Sequence, residues 1–427
     1  MTQTILQLDK QTEEIDHYLF LLQDLIWKIL QDADETSSLK KRFGQLFKEG
    51  YPEGLQLPKA YLALISHLLQ LNPLPIQPEQ FPNGTALLDT QGWCRSREIP
   101  EPIELAQLGA LWMILGVRLK NEALQRAGLK IAIWQIHLLD GAGMPHVSLW
   151  SRASSFRSST LALWNHALFT LAYRLTGEKV FFHLSEIARQ EAWDPNAFPV
   201  SLLVLVPSTM TPSVPNVFHP FTEEITVGMM KFSNAEMSFM AHLSGWNSGL
   251  FSFHKKGVAI VNAGPQVGDG DDLSRFGICR TWGVKQRPFQ EITWEKTAYH
   301  CHLKGWTQLK ALPLWMQLDA RLQAGQVFLE VALQDKAVAE PLSMALFLKC
   351  DKLILGGKHY LEIGSLEGYE GRSLTLELQG PSEKIAIHPD PSLKMKVTPL
   401  AGGQHFWGAQ FLVSFPLETS LFKIEVK

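Results

Sequence analysis

Apolar residues recur at helical spacing in the first half of the chain. The clearest stripe steps by four, three, four and three residues, through Ile15, Leu19, Leu22, Ile26 and Ile29. Such a stripe is typical of an amphipathic helix. The same spacing predicts further helices at residues 58–71, 103–119, 122–139, 159–176 and 178–190. Because several of the links between them are short, we expect antiparallel helical hairpins.

After residue 197 the spacing of apolar residues falls to two. Short apolar runs bounded by Gly, Pro, Asn or Asp continue to the end of the chain, from SLLVLVP at 201–207 to LFKIEV at 421–426. Such runs are typical of strands in stacked antiparallel sheets. Helices followed by strands, without alternation, predict an α+β fold. We expect a helical domain at 1–197 and an antiparallel β-sandwich at 198–427.

Composition excludes several classes of protein. A length of 427 residues suits two domains, and 46% hydrophobic against 19% charged residues exclude a disordered chain. The net charge of -3 provides no basic field, so no nucleic-acid partner is expected. The chain has no signal-peptide pattern and no run of 18 apolar residues. These features predict a cytoplasmic protein without a membrane span.

Short catalytic and cofactor motifs are missing from the sequence. The four cysteines, Cys94, Cys279, Cys301 and Cys350, lie far apart and form no CxxC pair. No P-loop, GxGxxG, GxSxG or HExxH string occurs. The sequence therefore predicts no cofactor.

Two strings resemble a known family. LAYRLTGEKVF at 171–181 is similar to the inner-to-outer helix turn of α/α-toroid carbohydrate-active proteins. GWNSGLFSFHKKGVAIVNAG at 245–264 resembles the strand pair that opens the β-sandwich of heparinase II/III-like polysaccharide lyases. The resemblance implies that the helical domain is an incomplete α/α toroid. It also implies an acidic polysaccharide as partner, with β-elimination as the reaction.

The sequence departs from that family where the family carries metal-binding or catalytic His and Asp residues. Those positions are occupied here by Trp246, Asn247, Ser248 and Asn262. Trp, Ser and Asn cannot replace imidazole and carboxylate as metal ligands at comparable affinity. We therefore expect no metal. The departures also favour an alternative, a glycan-binding or structural protein that kept the fold and lost the chemistry.

β-Elimination on a uronic acid requires a base, an acid and a group that neutralises the carboxylate. The predicted catalytic residues are His166 and His254. The predicted substrate-binding residues are Arg152, Arg157, Asn165, His242, Trp246 and Asn247. We expect both sets to line a groove at the junction of the two domains. The structural alternative places them in a solvated loop, a packed helix and the solvent face of a sheet.

Other residues define weaker alternatives. His137, His146, His300, His302 and Tyr173 are further acid–base candidates. The spacing of His300 and His302 puts both imidazoles on one face of a strand, but no third metal ligand is identifiable. A glycoside hydrolase is a third possible class, and it would need two acids about 5–10 Å apart in a groove. The acidic residues Glu223, Glu224 and Glu236 are not visibly placed for that role.

Overall fold

The computed structural model describes residues 2–31, 36–49, 56–76, 102–140, 143, 146, 158–207, 224–226, 229–233, 237–242, 250–255, 257–267, 290–297, 300–309, 312–323, 326–333, 342–400, 408–416 and 421–426. The chain divides into two compact units. The helical unit comprises Met1–Ile136 and Ser158–Phe221, and the strand unit comprises His137–Arg157 and Thr222–Lys427.

Eight helices lie in the described part of the chain. They are α1 (Thr2–Gln31), α2 (Thr36–Glu49), α3 (Gln56–Leu68), α4 (Pro102–Arg118), α5 (Glu122–His137), α6 (Ser158–Thr176), α7 (Lys179–Glu191) and α8 (Phe198–Ser201), and a 3₁₀ turn follows at Leu202–Leu205. The six helices that the sequence predicts are confirmed. Helix α2 was not predicted.

Helices α4 and α5 are buried over most of their surface, as their nearly continuous apolar residues predict. Their close approach depends on glycine. A Cβ atom at Gly128 would lie 2.6 Å from the carbonyl oxygen of Gly109, and one at Gly109 would lie 2.8 Å from Leu168. Since side chains at these positions would collide with a neighbouring helix, the glycines permit the packing.

The turn between α6 and α7 contains Gly177. Gly177 has φ 73°, and its N–H donates to the carbonyl of Tyr173 at 2.7 Å. This left-handed residue ends α6. In the aromatic contact across the hairpin, the ring centroids of Tyr173 and Phe182 are 5.3 Å apart. Phe181 stacks on Phe169.

The described strands form two antiparallel sheets of nine strands each. The strands are β1 (Glu224–Thr226), β2 (Met229–Ser233), β3 (Ser238–His242), β4 (Phe251–Lys255), β5 (Val258–Val267), β6 (Gln290–Thr297), β7 (His300–Leu309), β8 (Leu312–Gln323), β9 (Gln326–Leu333), β10 (Leu342–Lys349), β11 (Lys352–Leu355), β12 (His359–Glu362), β13 (Tyr369–Arg372), β14 (Leu376–Gln379), β15 (Lys384–Pro389), β16 (Lys394–Pro399), β17 (Phe411–Pro416) and β18 (Leu421–Val426).

The first sheet has the order β1-β2-β3-β4-β5-β10-β17-β16-β13, and the second has the order β12-β11-β14-β15-β18-β9-β8-β7-β6. One apolar core contains side chains from both sheets, including Phe239, Phe251 and Leu346 from the first and Leu329 and Leu378 from the second. Successive residues of a strand point to opposite faces of the sheet, so the residues between these core residues lie on the face that is turned away from the core. Helices together with antiparallel sheets make the fold α+β, as predicted.

One strand prediction was wrong, and five strands were missed. Residues 201–207 belong to the end of α8, the 3₁₀ turn and the residues that follow it. Pro199 lies at the start of α8, where a proline is favourable, and the apolar run after it is too short to distinguish helix from strand. Strands β6, β7, β8, β13 and β16 are not among the predicted apolar runs.

The division into units differs from the predicted boundary at residue 197 in two respects. Helix α8 and the 3₁₀ turn remain with the helical unit, where the Arg174 guanidinium donates to the carbonyls of Leu203 and Val206 at 2.6 Å each. Residues 137–157 precede α6 in sequence but belong to the strand unit. The contacts of that segment define the candidate site.

Candidate functional site

A buried polar cluster lies on the face of the first sheet that is turned away from the apolar core. Phe239, Phe251 and Phe253 point into the core, so the residues that alternate with them point to the other face. The backbone register sets Ser238 opposite His254 and Met240 opposite Ser252. Two serines and a histidine therefore share one small area of β3 and β4.

His146, from the segment 137–157, fills the space between the two serines. Its Nδ1 lies 2.8 Å from Ser252 Oγ, and its Nε2 lies 2.7 Å from Ser238 Oγ. All three side chains are buried. A neutral imidazole offers one donor and one acceptor, and a serine hydroxyl can serve as either. Both ring nitrogens of His146 are thus satisfied, and the segment is fixed to the sheet.

His254 stacks on His146 but has a different set of contacts. The two ring centroids are 4.1 Å apart, and His254 Nδ1 lies 3.4 Å from Asp140 Oδ2. The side chains of His254 and Asp140 are only 8% and 6% exposed. His254 Nε2 is buried and has no hydrogen-bond partner within the described part of the chain. A carboxylate beside one ring nitrogen is the arrangement that orients a histidine for proton transfer at the other nitrogen.

A lysine adds a positive charge to the cluster. Lys231 Nζ donates to the carbonyl of Leu139, and burial lowers the pKa of Lys231 to about 8, although the negative charge of Asp140 partly opposes that change. Burial, and then the charge of Lys231, lower the pKa of His137 to about 4. At neutral pH the cluster therefore combines a mostly charged Lys231 with a neutral His137.

Asn262 lies in β5. It is fully buried, and its Oδ1 accepts the N–H of Ala263 at 2.9 Å. Among the residues that the structure describes, its Nδ2 has no hydrogen-bond partner. Within the described residues, no three His, Cys, Asp or Glu side chains are grouped so that they could hold a metal ion. The expectation that no metal binds stays a prediction.

Asn165 and His166 lie on α6 in the helical unit, and both are buried. His166 Nδ1 donates to the carbonyl of Ser185 at 3.0 Å, and its ring meets the ring of Trp193 edge-on at 5.4 Å. Burial lowers the pKa of His166. Asn165 Oδ1 is buried, and none of the described residues forms a hydrogen bond with it. The contacts of His166 are those of a packed structural histidine.

The structure locates only part of the predicted site. Arg152, Arg157, Trp246 and Asn247 lie outside the described residues, and His242 lies in β3 with its side chain undescribed. His254 belongs to the strand unit, whereas Asn165 and His166 belong to the helical unit. The shared groove stays a prediction.

Sequence reasoning did not find Asp140, Lys231, Ser238 or Ser252. A weak signal existed for the serines, because each occupies a position that alternates with core phenylalanines.

The His300 and His302 pair forms a second polar group, in the second sheet. His300 Nε2 contacts Asp319 Oδ1, and His302 Nδ1 lies 2.6 Å from Asp319 Oδ2. The single carboxylate of Asp319 on β8 therefore contacts two imidazoles on β7.

Comparison with known proteins gives structural matches alone. No protein-family model matches the chain, and no curated protein matches its sequence. None of the helices within the described ranges has the length and apolar character needed to span a bilayer.

Three solved structures with some similarity are polysaccharide lyases. A mutant heparan sulfate lyase from Pedobacter heparinus is 11% identical over 95% of this chain and 76% of that chain, with a TM-score of 0.34. A Paenibacillus xanthan lyase is 10% identical over 88% and 42%, with a TM-score of 0.40. Chondroitinase AC lyase is 9% identical over 96% and 73%, with a TM-score of 0.32. Similarity at these TM-scores carries no argument about activity.

Proposed function

We propose that this protein binds an acidic polysaccharide and cleaves it by β-elimination. In this proposal an incomplete α/α-toroid domain at 1–197 precedes an antiparallel β-sandwich at 198–427. Two things support it: the resemblance of the strings at 171–181 and 245–264 to the lyase family, and the buried cluster around His254. The observation that carries the chemistry is the contact of His254 Nδ1 with Asp140, which leaves the buried Nε2 of His254 for proton transfer.

Each group in the cluster has a role in this reaction. His254 Nε2 takes the proton from the carbon next to the uronate carboxylate, and Asp140 holds the opposite ring nitrogen. The electron pair forms a carbon–carbon double bond as the bond to the leaving sugar oxygen breaks. That oxygen takes up a proton from water, and His254 afterwards releases to water the proton that it took. Lys231 offers a positive charge for the carboxylate while negative charge accumulates on it. Lys231 therefore fills this role better than Asn165 or Arg152, two of the substrate-binding residues predicted from the sequence.

Binding without cleavage is the second candidate function. The small exposure of His254 and the substitution of Asn262 for an acidic residue favour it. In that case the cluster holds the segment 137–157 on the sheet, and the glycan is bound elsewhere.

The two functions are distinguished by product formation. Purified protein is incubated with a panel of acidic polysaccharides, and unsaturated uronate is followed by ultraviolet absorbance. His254→Gln should reduce the rate by about 100-fold or more, the usual contribution of a general acid or base, and leave binding intact. His388→Gln is the matched control, because that histidine lies on β15 and also has an unpartnered buried Nε2. It should keep full activity.

Three outcomes would change the assignment. Loss of activity in His166→Ala, with His254→Gln active, moves the chemistry to the helical unit. Binding of a polysaccharide without any product supports the second function. Neither binding nor product on any acidic polysaccharide refutes both.

A further inference from the structure

Strands β7 and β8 present a row of polar and aromatic side chains on the face opposite the core. Leu318 and Ala320 point into the core, so Asp319 and Arg321 lie on the other face. The register sets His302 opposite Asp319, and His300 opposite Arg321. Further along the same face, Lys304 is opposite Gln317.

Asp319 is the centre of this row and is occupied by its own neighbours. The imidazoles of His300 and His302 each contact one of its oxygens, and its side chain is only 14% exposed. Burial alone would raise the pKa of Asp319, but the hydrogen bonds and charges of the two histidines lower it. The carboxylate therefore stays ionised and is largely compensated within the sheet.

A cation lies at each end of the row. Lys304 Nζ sits over the ring of Trp315, 5.5 Å from its centroid. At the other end the Arg321 side chain is 67% exposed, and its Nε is 3.8 Å from Asp319 Oδ1. Trp315 and Arg321 are six residues apart on one strand, which places them about 20 Å apart at about 3.3 Å per residue. That span accommodates several sugar rings.

We propose that this face, defined by His300, His302, Lys304, Trp315, Asp319 and Arg321, is a second binding site for an acidic polysaccharide, separate from the cluster around His254. The choice of ligand rests on the proposed function, and the chemistry of the face fits it. The apolar side of a sugar ring packs on an indole, and carboxylate or sulfate groups pair with lysine and arginine.

The charged residues on this face provide two separate cationic contacts for a ligand and not a continuous basic surface. Glu330, the backbone partner of Asp319 in β9, is half-buried on the same face. Together with the net charge of -3, this argues against a nucleic acid, which needs many cations along its backbone. A polymer with widely spaced anionic groups matches two cations at the ends of one strand.

The test measures binding by affinity electrophoresis of the full chain. The gels contain polygalacturonate (carboxylate only), dextran sulfate (sulfate only) or dextran (neutral). The double variant Lys304→Gln/Arg321→Gln should weaken binding to at least one charged polymer tenfold or more, and Trp315→Ala should also weaken it. Lys358→Gln/Lys394→Gln is the control, because it removes the same charge from two exposed lysines elsewhere in the strand unit. The polymer whose binding falls identifies the anionic group.

Conservative variants separate binding from folding. Lys304→Arg and Trp315→Phe should retain binding, and circular dichroism should be unchanged in all variants. Equal binding by Lys304→Gln/Arg321→Gln and its control overturns this inference and leaves the proposed cleavage at His254 intact. Binding that depends on Arg321 and Trp315, without any unsaturated product, supports this site and refutes cleavage. Failure of the wild-type protein to bind either charged polymer overturns the inference.

Discussion

Replacing Gly128 with alanine tests the close packing of α4 on α5. The new Cβ would lie 2.6 Å from the carbonyl oxygen of Gly109 and 2.6 Å from Cγ of Met113. Met113 can rotate away, but the carbonyl belongs to the backbone of α4. Because real Cβ atoms stay at least 3.0 Å from such neighbours, the two helices must separate locally.

The size of the effect follows from two opposing contributions. Alanine in place of a helical glycine stabilises by about 1 kcal/mol, whereas overpacking a close contact costs about 1–3 kcal/mol or more. A steric conflict with backbone belongs at the upper end, so we expect Gly128→Ala to lose about 1–2 kcal/mol net. For a unit of about 200 residues, that corresponds to a fall in Tm of roughly 2–8 °C.

Gly44→Ala provides the matched control. Gly44 lies in α2, and a Cβ atom there would have no neighbour within 4 Å. The same substitution should therefore stabilise this position, by up to about 1 kcal/mol. Thermal unfolding followed by far-ultraviolet circular dichroism reports both changes. A Tm for Gly128→Ala equal to or above that of the wild type would refute the packing described for α4 and α5.

Three further predictions concern the strand unit. In the native state Lys231 has a pKa of about 8, against 10.5 in the unfolded chain, so it loses its proton at lower pH when the protein is folded. The free energy of unfolding should therefore rise between pH 8 and 10.5 by up to about 3 kcal/mol. Urea unfolding should show this rise for the wild type and not for Lys231→Met. Ser252→Ala removes a buried hydrogen bond of His146 and should cost about 1–3 kcal/mol in the same assay. Burial raises the pKa of Cys350 to about 12, so iodoacetamide at pH 8 should label its peptide only after unfolding, as mass spectrometry can show.

The spacing of apolar residues predicted the elements that are apolar on one clear face. Helix α2 was missed because its stripe contains only Leu39, Phe43 and Leu46, set among lysines and other polar residues. Strand β8 was missed because the prediction relied on short apolar runs. The inward residues Leu318 and Ala320 alternate with Asp319 and Arg321, and that spacing of two is itself a signal for a strand.

The candidate site could be predicted only in part, because its contacts join distant parts of the sequence. His254 could be predicted as a catalytic residue because it lies in the string at 245–264, which resembles a strand pair of the lyase family. Its neighbours arise from long-range packing: His146 is 106 residues from Ser252, and Leu139 is 92 residues from Lys231. No local spacing encodes such pairs.

The stability of the strand unit should depend on residues 137–157, which precede the rest of that unit in the sequence. Residues 137–157 stand between α5 and α6 in the chain but belong to this unit. A fragment of residues 222–427 lacks the imidazole of His146, the carboxylate of Asp140 and the carbonyl that Lys231 contacts. Ser238, Ser252 and Lys231 would lose these partners, and each buried polar group that loses a hydrogen bond costs about 1–3 kcal/mol.

A synthetic peptide of residues 137–157, added in trans, should therefore raise the Tm of that fragment. The same peptide with His146→Ala should raise it less, because the hydrogen bonds to both serines are absent. Since binding to the native state alone stabilises by mass action, the rise should also increase with peptide concentration. A fragment with the same Tm with and without the peptide would show that the segment is dispensable. The site assembled around His254 would then lose its structural basis, because Asp140 reaches it only through this segment.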